Sequence, residues 1–382
     1  MAFEMITNRQ VIFGEGKLPE LVKQLQWYGK KKVLLVSYGQ HHQGYKTVSG
    51  LLEEAGIAYV PYPVTGGEPD LHIIDHGRDV FLAEGCDCTV ALGGGSVIDA
   101  AKTIGMLAVN GGCTEDYQLF GRAVTKEPPL FIAIPTTSGT GAEATKTAVV
   151  INNNNGLKKS LYHTSMIADI VIMDPTLTVE LPKKITSATG MAALSHAIES
   201  YVSLNASPMT EMYGLKAMQL INKHLATACF EPENLEARAG MMLASYLAGC
   251  AITAGIGIDH IMAQPLGGEY HIPHGDACSI FLPYAMELNL PYAAAKYADI
   301  AKALDVYIIG ATDEENGRNA IARVRELQQE IGAPVSLKGY IREEPDMDKL
   351  IDVVKRTTGH ITCNPRPLTE DLMREIFALA RQ

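Results

Sequence analysis

The fold is indicated by the segment Cys88-Thr-Val-Ala-Leu-Gly-Gly-Gly-Ser-Val-Ile-Asp-Ala-Ala-Lys102, in which an apolar run is followed by three glycines and a helical pattern. Similar apolar runs occur at three other places in the first half of the chain, with helical patterns between them. Buried strands that alternate with helices are typical of a parallel sheet covered by helices. The predicted strands are 32–37, 88–92, 130–134 and 170–173, and the predicted helices include 18–26 and 97–108.

The second half of the chain has a different pattern. After about Pro182 the strand-like runs end, and long segments rich in Ala, Leu and Met repeat their apolar residues at steps of three and four. We therefore predict an α/β domain with a Rossmann-like parallel sheet at 1–182 and an all-α domain at 183–382. Within the first domain, the asparagines at 152–155 predict a hairpin tip. The predicted helices of the second domain include 187–204, 211–228 and 235–254.

Composition and charge exclude several classes of function. The chain of 382 residues has 32 Lys and Arg against 43 Asp and Glu, which gives a net charge of −11. This balance argues against nucleic acid or a membrane as a partner, since both usually require a basic face. The N-terminus lacks the pattern of a signal peptide, and the seven cysteines show no zinc-binding spacing. We expect a cytoplasmic protein whose cysteines are reduced, structural and without a part in the chemistry.

Two loops that leave predicted strands carry the groups that bind phosphate. Gly93-Gly-Gly-Ser96 opens a helix, whose unpaired N–H groups and dipole favour an anion, and Ser96 either caps that helix or donates to the phosphate. Pro135-Thr-Thr-Ser-Gly-Thr-Gly141 offers hydroxyls for phosphate and ribose. The two loops together predict nucleotide binding. The candidate cofactor-binding residues are Gly94, Gly95, Ser96, Asp99, Thr136, Thr137 and Thr145.

Three histidines in the helical half suggest a metal site. They are His196, within a predicted helix, and His260 and His274 further along the chain. Three neutral imidazoles can hold a divalent metal, often with a carboxylate as the fourth ligand. Any one of these histidines taken alone is more often a surface residue or a buried, hydrogen-bonded one, so their types and spacing do not establish the site.

Several motifs resemble the iron-containing (group III) alcohol dehydrogenase family. They occur in the family's order, from Val11 nearly to the C-terminus. The resemblance implies an NAD(P)-dependent oxidoreductase of small alcohols, diols or aldehydes that forms homo-oligomers, with a divalent metal bound by His196, His260 and His274. The motifs are Gly93-Gly-Gly-Ser-Val-Ile-Asp99, Pro135-Thr-Thr-Ser-Gly-Thr-Gly141, Ala188-Thr-Gly-Met-Ala-Ala-Leu-Ser-His-Ala-Ile-Glu199, the segment 265–275 and Asn364-Pro-Arg366.

Two positions depart from the family pattern. Ala192 occupies the position of the family's metal-binding Asp, and Gln264 occupies the position of a family His near the nicotinamide. Three neutral ligands leave the metal's charge uncompensated, which weakens Fe²⁺ and favours Zn²⁺, Ni²⁺ or no metal. We do not expect Asp259 to replace the missing ligand, because adjacent helical residues diverge by about 100°. Gln264 and His274 are assigned to catalysis, although Gln264 transfers no proton.

The choice of cofactor rests on a few positions of the first domain. NAD-using relatives often have an Asp after the first strand, and such an Asp would repel the 2′-phosphate of NADP. Tyr38 stands at that position here, so the loop is also compatible with NADP. The absence of Arg from this loop favours NAD. Either Lys158 or Lys159 matches a family lysine on the ribose side of the cofactor, and the sequence does not decide between them.

Three functional hypotheses remain open at this point. The first is an alcohol dehydrogenase whose activity is weak or lost because of Ala192 and Gln264. The second is a metal-independent reductase resembling the maleylacetate reductases, which the retained histidines disfavour. The third is a catalytically inactive dinucleotide-binding homologue, since both departures fall on reactive positions.

Overall fold

The four apolar runs of the first half of the chain form the central strands of a sheet that has six strands in the described residues, all of them parallel. A computed structural model describes residues 3–343, 345–358 and 361–382. The described chain divides into a sheet unit, Glu4–Thr137 with Ala142–Val179, and a helical unit, Ser138–Gly141 with Glu180–Gln382. The predicted fold class, a Rossmann-like α/β region followed by helices, is confirmed.

The sheet unit follows the predicted alternation of strands and helices. The four predicted strands are confirmed. The hairpin is confirmed as well, since two antiparallel strands, 147–151 and 158–162, flank the predicted tip. Its strands are β1 (Gln10–Phe13), β2 (Lys32–Ser37), β3 (Ala58–Pro63), β4 (Cys88–Gly93), β5 (Leu130–Pro135), β6 (Thr147–Ile151), β7 (Lys158–Tyr162) and β8 (Ile170–Met173). Its helices are α1 (Glu20–Trp27), α2 (Gln43–Glu54), α3 (Leu71–Ala83), α4 (Gly95–Asn110) and α5 (Thr114–Gln118).

The strand order of the sheet places the glycine loop at its binding edge. The order is β1-β8-β5-β4-β2-β3, so the direction of winding reverses between β2 and β4. In open parallel sheets, ligands bind outside the carboxyl ends of the strands at such a reversal. The loop that joins β4 to α4 leaves the sheet at this point, as a nucleotide-binding loop should.

The helical unit packs long helices around two apolar clusters. One cluster lies mainly among the helices of 183–251 and 274–331, and the other joins the helices of 258–303 and 347–380. No single helix of the described residues is long and apolar enough to cross a membrane. The segments Leu235–Ala254 and Ile258–Tyr270 reach that length and apolar composition only together, and they are bent by 106°. The helices are α6 (Lys183–Val202), α7 (Pro208–Phe230), α8 (Leu235–Ala251), α9 (Ile258–Tyr270), α10 (His274–Ala303), α11 (Asp313–Ile331), α12 (Met347–Thr357) and α13 (Glu370–Ala380).

A buried ionic network joins α4 to the segment that follows β5. The Lys102 ammonium donates to the carbonyls of Ala142 (2.8 Å) and Thr147 (2.7 Å) and lies 3.3 Å from the Asp99 carboxylate. The other Asp99 oxygen accepts the backbone N–H of Val149 at 2.9 Å. Because a buried charge is costly unless paired, these contacts hold the segment after β5 firmly against α4.

The Glu143 carboxyl beside this network makes stability depend on pH. Burial is the main reason that its pKa rises from the ordinary 4.5 to about 7, and the Lys102 charge opposes the rise. The folded protein therefore binds this proton more tightly than the unfolded chain does. Its stabilising effect is complete below pH ~4.5 and is lost as the pH rises through ~7, for a total of about 3 kcal/mol. We expect Glu143→Gln to remove this decline, as measured by urea unfolding at several pH values. Parallel pH profiles for the two proteins would contradict the assignment.

Candidate active site

The glycine loop forms an open helix N-terminus in the sheet unit. Gly94 is the N-cap residue of α4, and no side chain caps this helix. The expectation that Ser96 caps this helix is therefore wrong, because the N-cap position is Gly94, two residues before Ser96. A Cβ at Gly94 would lie 3.0 Å from the Thr137 hydroxyl, so glycine allows the two loops to approach closely. The N–H of Val97 already donates to the Gly94 carbonyl at 3.1 Å, so the N–H groups of Gly95 and Ser96 are the candidates for binding an anion.

The two predicted phosphate loops are neighbours, as their strands require. Gly93 pairs with Pro135 in the sheet, and the N–H of Thr136 donates to the Gly93 carbonyl at 3.0 Å. Thr136 and Thr137 are half-buried, as are Gly95 and Ser96. The structure thus brings together five of the predicted cofactor residues at one edge of the sheet, namely Gly94, Gly95, Ser96, Thr136 and Thr137.

The other predicted cofactor residues have partners within the sheet unit. Asp99 belongs to the Lys102 network, and the Thr145 hydroxyl lies 3.3 Å from the same ammonium group. Lys158 is buried and forms a 2.7 Å ion pair with Glu68. Lys159 is half-buried on the same strand, β7. These contacts give Asp99, Thr145 and Lys158 structural roles, and a role of any of the four in cofactor binding stays a prediction.

The three candidate metal-binding histidines converge in the helical unit. His196 lies on α6, His260 in the first turn of α9, and His274 begins α10. One ring nitrogen from each lies within 4.8 Å of the other two. The His196 and His260 rings stack with their centroids 4.5 Å apart. The helical packing therefore produces the cluster that the sequence resemblance implied.

Glu199 orients the central histidine of this cluster. Its Oε2 accepts from Nδ1 of His260 at 2.7 Å, and its Oε1 accepts the backbone N–H of Asp259 at 2.8 Å. The carboxylate therefore lies at the N-terminus of α9, where the helix dipole favours a negative group. A proton fixed on Nδ1 leaves the lone pair of Nε2 for a metal, the usual arrangement of a histidine ligand.

The Asn364 motif supports the same helix terminus. The Asn364 side chain accepts the N–H of Ile258 at 3.1 Å and exchanges hydrogen bonds with Asn289. A Cβ at Gly257 would lie 2.7 Å from both the Asn364 amide oxygen and the Glu199 carboxylate. Glycine is therefore needed for these two side chains to reach the backbone that carries His260.

Electrostatics favour neutral imidazole and leave a carboxyl group unsatisfied. Burial lowers the pKa of His196 well below its ordinary value, with a further contribution from His260. Burial and the Glu199 charge raise the pKa of Asp259 well above its usual range. Among the residues that the structure describes, neither carboxyl oxygen of Asp259 has a hydrogen-bond partner, although the side chain is fully buried. A buried polar group without a protein partner is unusual, so this carboxyl group is able to interact with a bound ion or another donor.

Two further side chains, those of Asp259 and Cys278, lie near the histidine cluster. An Asp259 oxygen, a His260 ring nitrogen and the Cys278 sulfur lie within 4.8 Å of one another. Cys278 comes from another helix than Asp259, so the divergence of about 100° between Asp259 and His260 does not prevent this approach. That Asp259 does not replace the missing ligand stays a prediction. The Cys278 sulfur also lies 3.6 Å from Nε2 of His274 and 3.7 Å from Nε2 of His260. The structure thus places one cysteine beside the histidines, and the expectation that the cysteines take no part in the chemistry stays a prediction.

The donor set fits a divalent metal. It consists of two groups that share His260, one formed by the three histidines and the other by Asp259, His260 and Cys278. Zn²⁺ and related ions bind such nitrogen and sulfur donors. Ala192 is buried one turn before His196 and supplies no ligand atom. Gln264 is half-buried one turn after His260. His271 is exposed and ends α9 in a left-handed conformation (φ 54°), outside the cluster.

Two family profiles match consecutive parts of this chain. The profile described as "Iron-containing alcohol dehydrogenase" covers residues 8–175, and "Fe-containing alcohol dehydrogenase family, C-terminal" covers 186–380. The fold and the two profiles place the chain among the alcohol dehydrogenase oxidoreductases. The chain belongs to the iron-containing alcohol dehydrogenase family.

Individual relatives are similar over nearly the whole chain. The NAD-dependent methanol dehydrogenase of Bacillus methanolicus is 35% identical over 89% of this chain and 90% of its own length. The NADPH-dependent butanol dehydrogenase of Clostridium saccharobutylicum is 34% identical over 97% and 95%. The crystal structure of a 1,3-propanediol oxidoreductase is 32% identical, covers 100% of both chains and gives a TM-score of 0.95. The sequence-based recognition of the family is confirmed.

Proposed function

We propose that this protein is a nicotinamide-dependent oxidoreductase that interconverts small primary alcohols or diols with the corresponding aldehydes. The observation that carries the proposal is the convergence of His196, His260 and His274 on one point. The names of the relatives support the same reaction class. A divalent metal at these histidines would polarise the alcohol or carbonyl oxygen during hydride exchange with the nicotinamide.

The protein's own residues position the reactants in this proposal. The N-terminus of α4, with Gly94 and Gly95, binds the cofactor pyrophosphate through backbone N–H groups. Glu199 keeps Nδ1 of His260 protonated and the ring orientation fixed. Gln264 replaces an acid–base histidine of the family and offers only a hydrogen bond. The proposed activity is therefore weak relative to that of the family, and His274 contributes as a ligand.

We propose NAD as the preferred cofactor. Tyr38 follows β2 and is 63% exposed. It carries no carboxylate that would repel a 2′-phosphate, but its loop contains no arginine that would bind one, and the second point favours NAD. The relatives named above include both an NAD-dependent and an NADPH-dependent enzyme, so family membership leaves the choice open.

The test measures cofactor binding and turnover separately. Protein loaded with Zn²⁺, Ni²⁺ or Fe²⁺ is assayed for NADH and NADPH oxidation with short aldehydes and for NAD reduction with propanol and 1,3-propanediol. Fluorescence titration reports binding of each reduced cofactor. We expect turnover that a chelator abolishes and a preference for NADH. Turnover unaffected by the chelator would favour a metal-independent reductase, and binding without turnover would favour an inactive homologue.

A further inference from the structure

We propose that the Cys278 thiolate is the fourth ligand of the metal centre, in place of the carboxylate that Ala192 does not provide. The proposal rests on the metal centre of the proposed function, but it concerns a side chain outside the histidine cluster. The resulting Cys-His₃ centre would favour Zn²⁺ or Co²⁺, because thiolate is a softer donor than carboxylate.

The distances around the sulfur match a tetrahedral centre. Cys278 Sγ lies 3.7 Å from Nε2 of His260 and 3.6 Å from Nε2 of His274. A tetrahedral Zn²⁺ with Zn–N bonds of about 2.0 Å and a Zn–S bond of about 2.3 Å separates N and S by roughly 3.6 Å. Both separations are therefore close to the edge of such a coordination tetrahedron. The ligand atoms of Cys278 and the three histidines do not all lie within 4.8 Å of one another, so His196 has to move toward the sulfur when the ion binds.

The helix geometry directs the thiol and a histidine toward the same point. His274 and Cys278 are four residues apart on α10, so they lie on one face of that helix. His260 approaches from α9, which packs against α10. The contact of Cys278 with these two histidines thus follows from regular helix packing.

Burial decides between two uses of this thiol. Cys278, His260 and Glu199 are linked in the order sulfur, imidazole and carboxylate, which is also the arrangement of an activated cysteine nucleophile. A nucleophile must be reached by its substrate, and Cys278 has 0% of its surface exposed. A metal ligand has no such requirement, so the burial favours coordination.

Charge balance supports an anionic ligand here. Binding a divalent ion releases the thiol proton to solvent and forms one metal–sulfur bond, which lowers the net charge of the centre by one. Three imidazoles alone would leave both positive charges in a buried site. The Asp259 carboxyl group, buried without a hydrogen-bond partner beside the sulfur, is further consistent with a cation at this point.

The test is anaerobic titration of the metal-free protein with Co²⁺, followed by absorption spectroscopy without any nicotinamide. We expect a thiolate-to-cobalt charge-transfer band in the near ultraviolet that saturates at one ion per chain. Cys278→Ser should abolish this band and weaken Co²⁺ binding by at least about 10- to 100-fold, the range known for outer-shell partners. Cys229→Ser, which alters another buried cysteine in the helical unit, should leave both unchanged.

A second variant separates loss of a ligand from loss of the fold. Ala192→Asp added to Cys278→Ser should restore tight Co²⁺ binding while the charge-transfer band stays absent. A wild-type cobalt spectrum without the band, or equal Co²⁺ affinity in Cys278→Ser, would overturn the proposal. It would also be overturned if Asp259→Asn abolished binding while Cys278→Ser did not. Because no cofactor is involved, an inactive protein can still pass this test.

Discussion

Ala192→Asp combined with Gln264→His is expected to raise kcat/KM for NAD-linked oxidation of a short primary alcohol by about 10²–10⁴-fold, the usual contribution of an acid–base group. Gln264 is half-buried one turn after His260, so a histidine at position 264 would lie beside His260 on α9. Unlike an amide, an imidazole can accept and return the alcohol proton near neutral pH. Steady-state kinetics with saturating metal measures the gain.

The single variants assign the effect of each position. Gln264→His alone should give most of the gain in kcat, because it supplies the missing proton transfer. Ala192→Asp alone should mainly shift metal preference toward Fe²⁺, because a carboxylate is a harder ligand than a thiolate or imidazole. A double variant as inactive as the wild type, yet folded and loaded with metal, would show that the site serves other chemistry.

His260→Gln is expected to remove the metal centre. His260 contacts Glu199, Cys278 and the rings of both other candidate ligands. We expect metal affinity to fall by more than about 100-fold, beyond the loss caused by outer-shell changes, and metal-dependent turnover to fall in parallel. Equilibrium dialysis with metal analysis measures the affinity.

Glutamine is chosen at position 260 so that an amide N–H can still donate to Glu199. His271→Asn is the matched control, because His271 is exposed outside the cluster and asparagine tolerates its left-handed conformation. The control should bind metal like the wild type. Unchanged affinity in His260→Gln, or equal loss in both variants, would contradict the assignment of His260 as a ligand.

Periodic patterns in the sequence predicted most of the fold. The four buried strands could be identified because they carry continuous apolar runs, and α6, α7 and α8 match the predicted helical segments. Two strands were missed. β3 (Ala58–Pro63) contains Pro61 and Pro63, which lower its strand signal but are tolerated because β3 lies at the edge of the sheet. β1 (Gln10–Phe13) is short and largely exposed, so no buried run marks it.

The candidate site was predictable only in part. The histidines and glycine loops stand in motifs whose spacing can be identified along the chain. Glu199 stands in the His196 motif, three residues away on the same helix, and this spacing was the available signal for its role. Cys278 lies four residues after His274, but its approach to His260 depends on how α9 packs against α10. The approach of Asp259 to Cys278 depends on the same packing, and whether its carboxylate binds a metal stays a prediction.

The central claim is that turnover of a nicotinamide cofactor depends on a metal bound by the three histidines. The most direct measurement is NADH oxidation with a short aldehyde, titrated with Zn²⁺ or Co²⁺ from the metal-free state, for the wild type and His260→Gln. The account predicts that the wild-type rate rises to a plateau at one ion per chain and that the variant shows no such rise. A wild-type rate independent of added metal, or absent at every metal concentration, would contradict it.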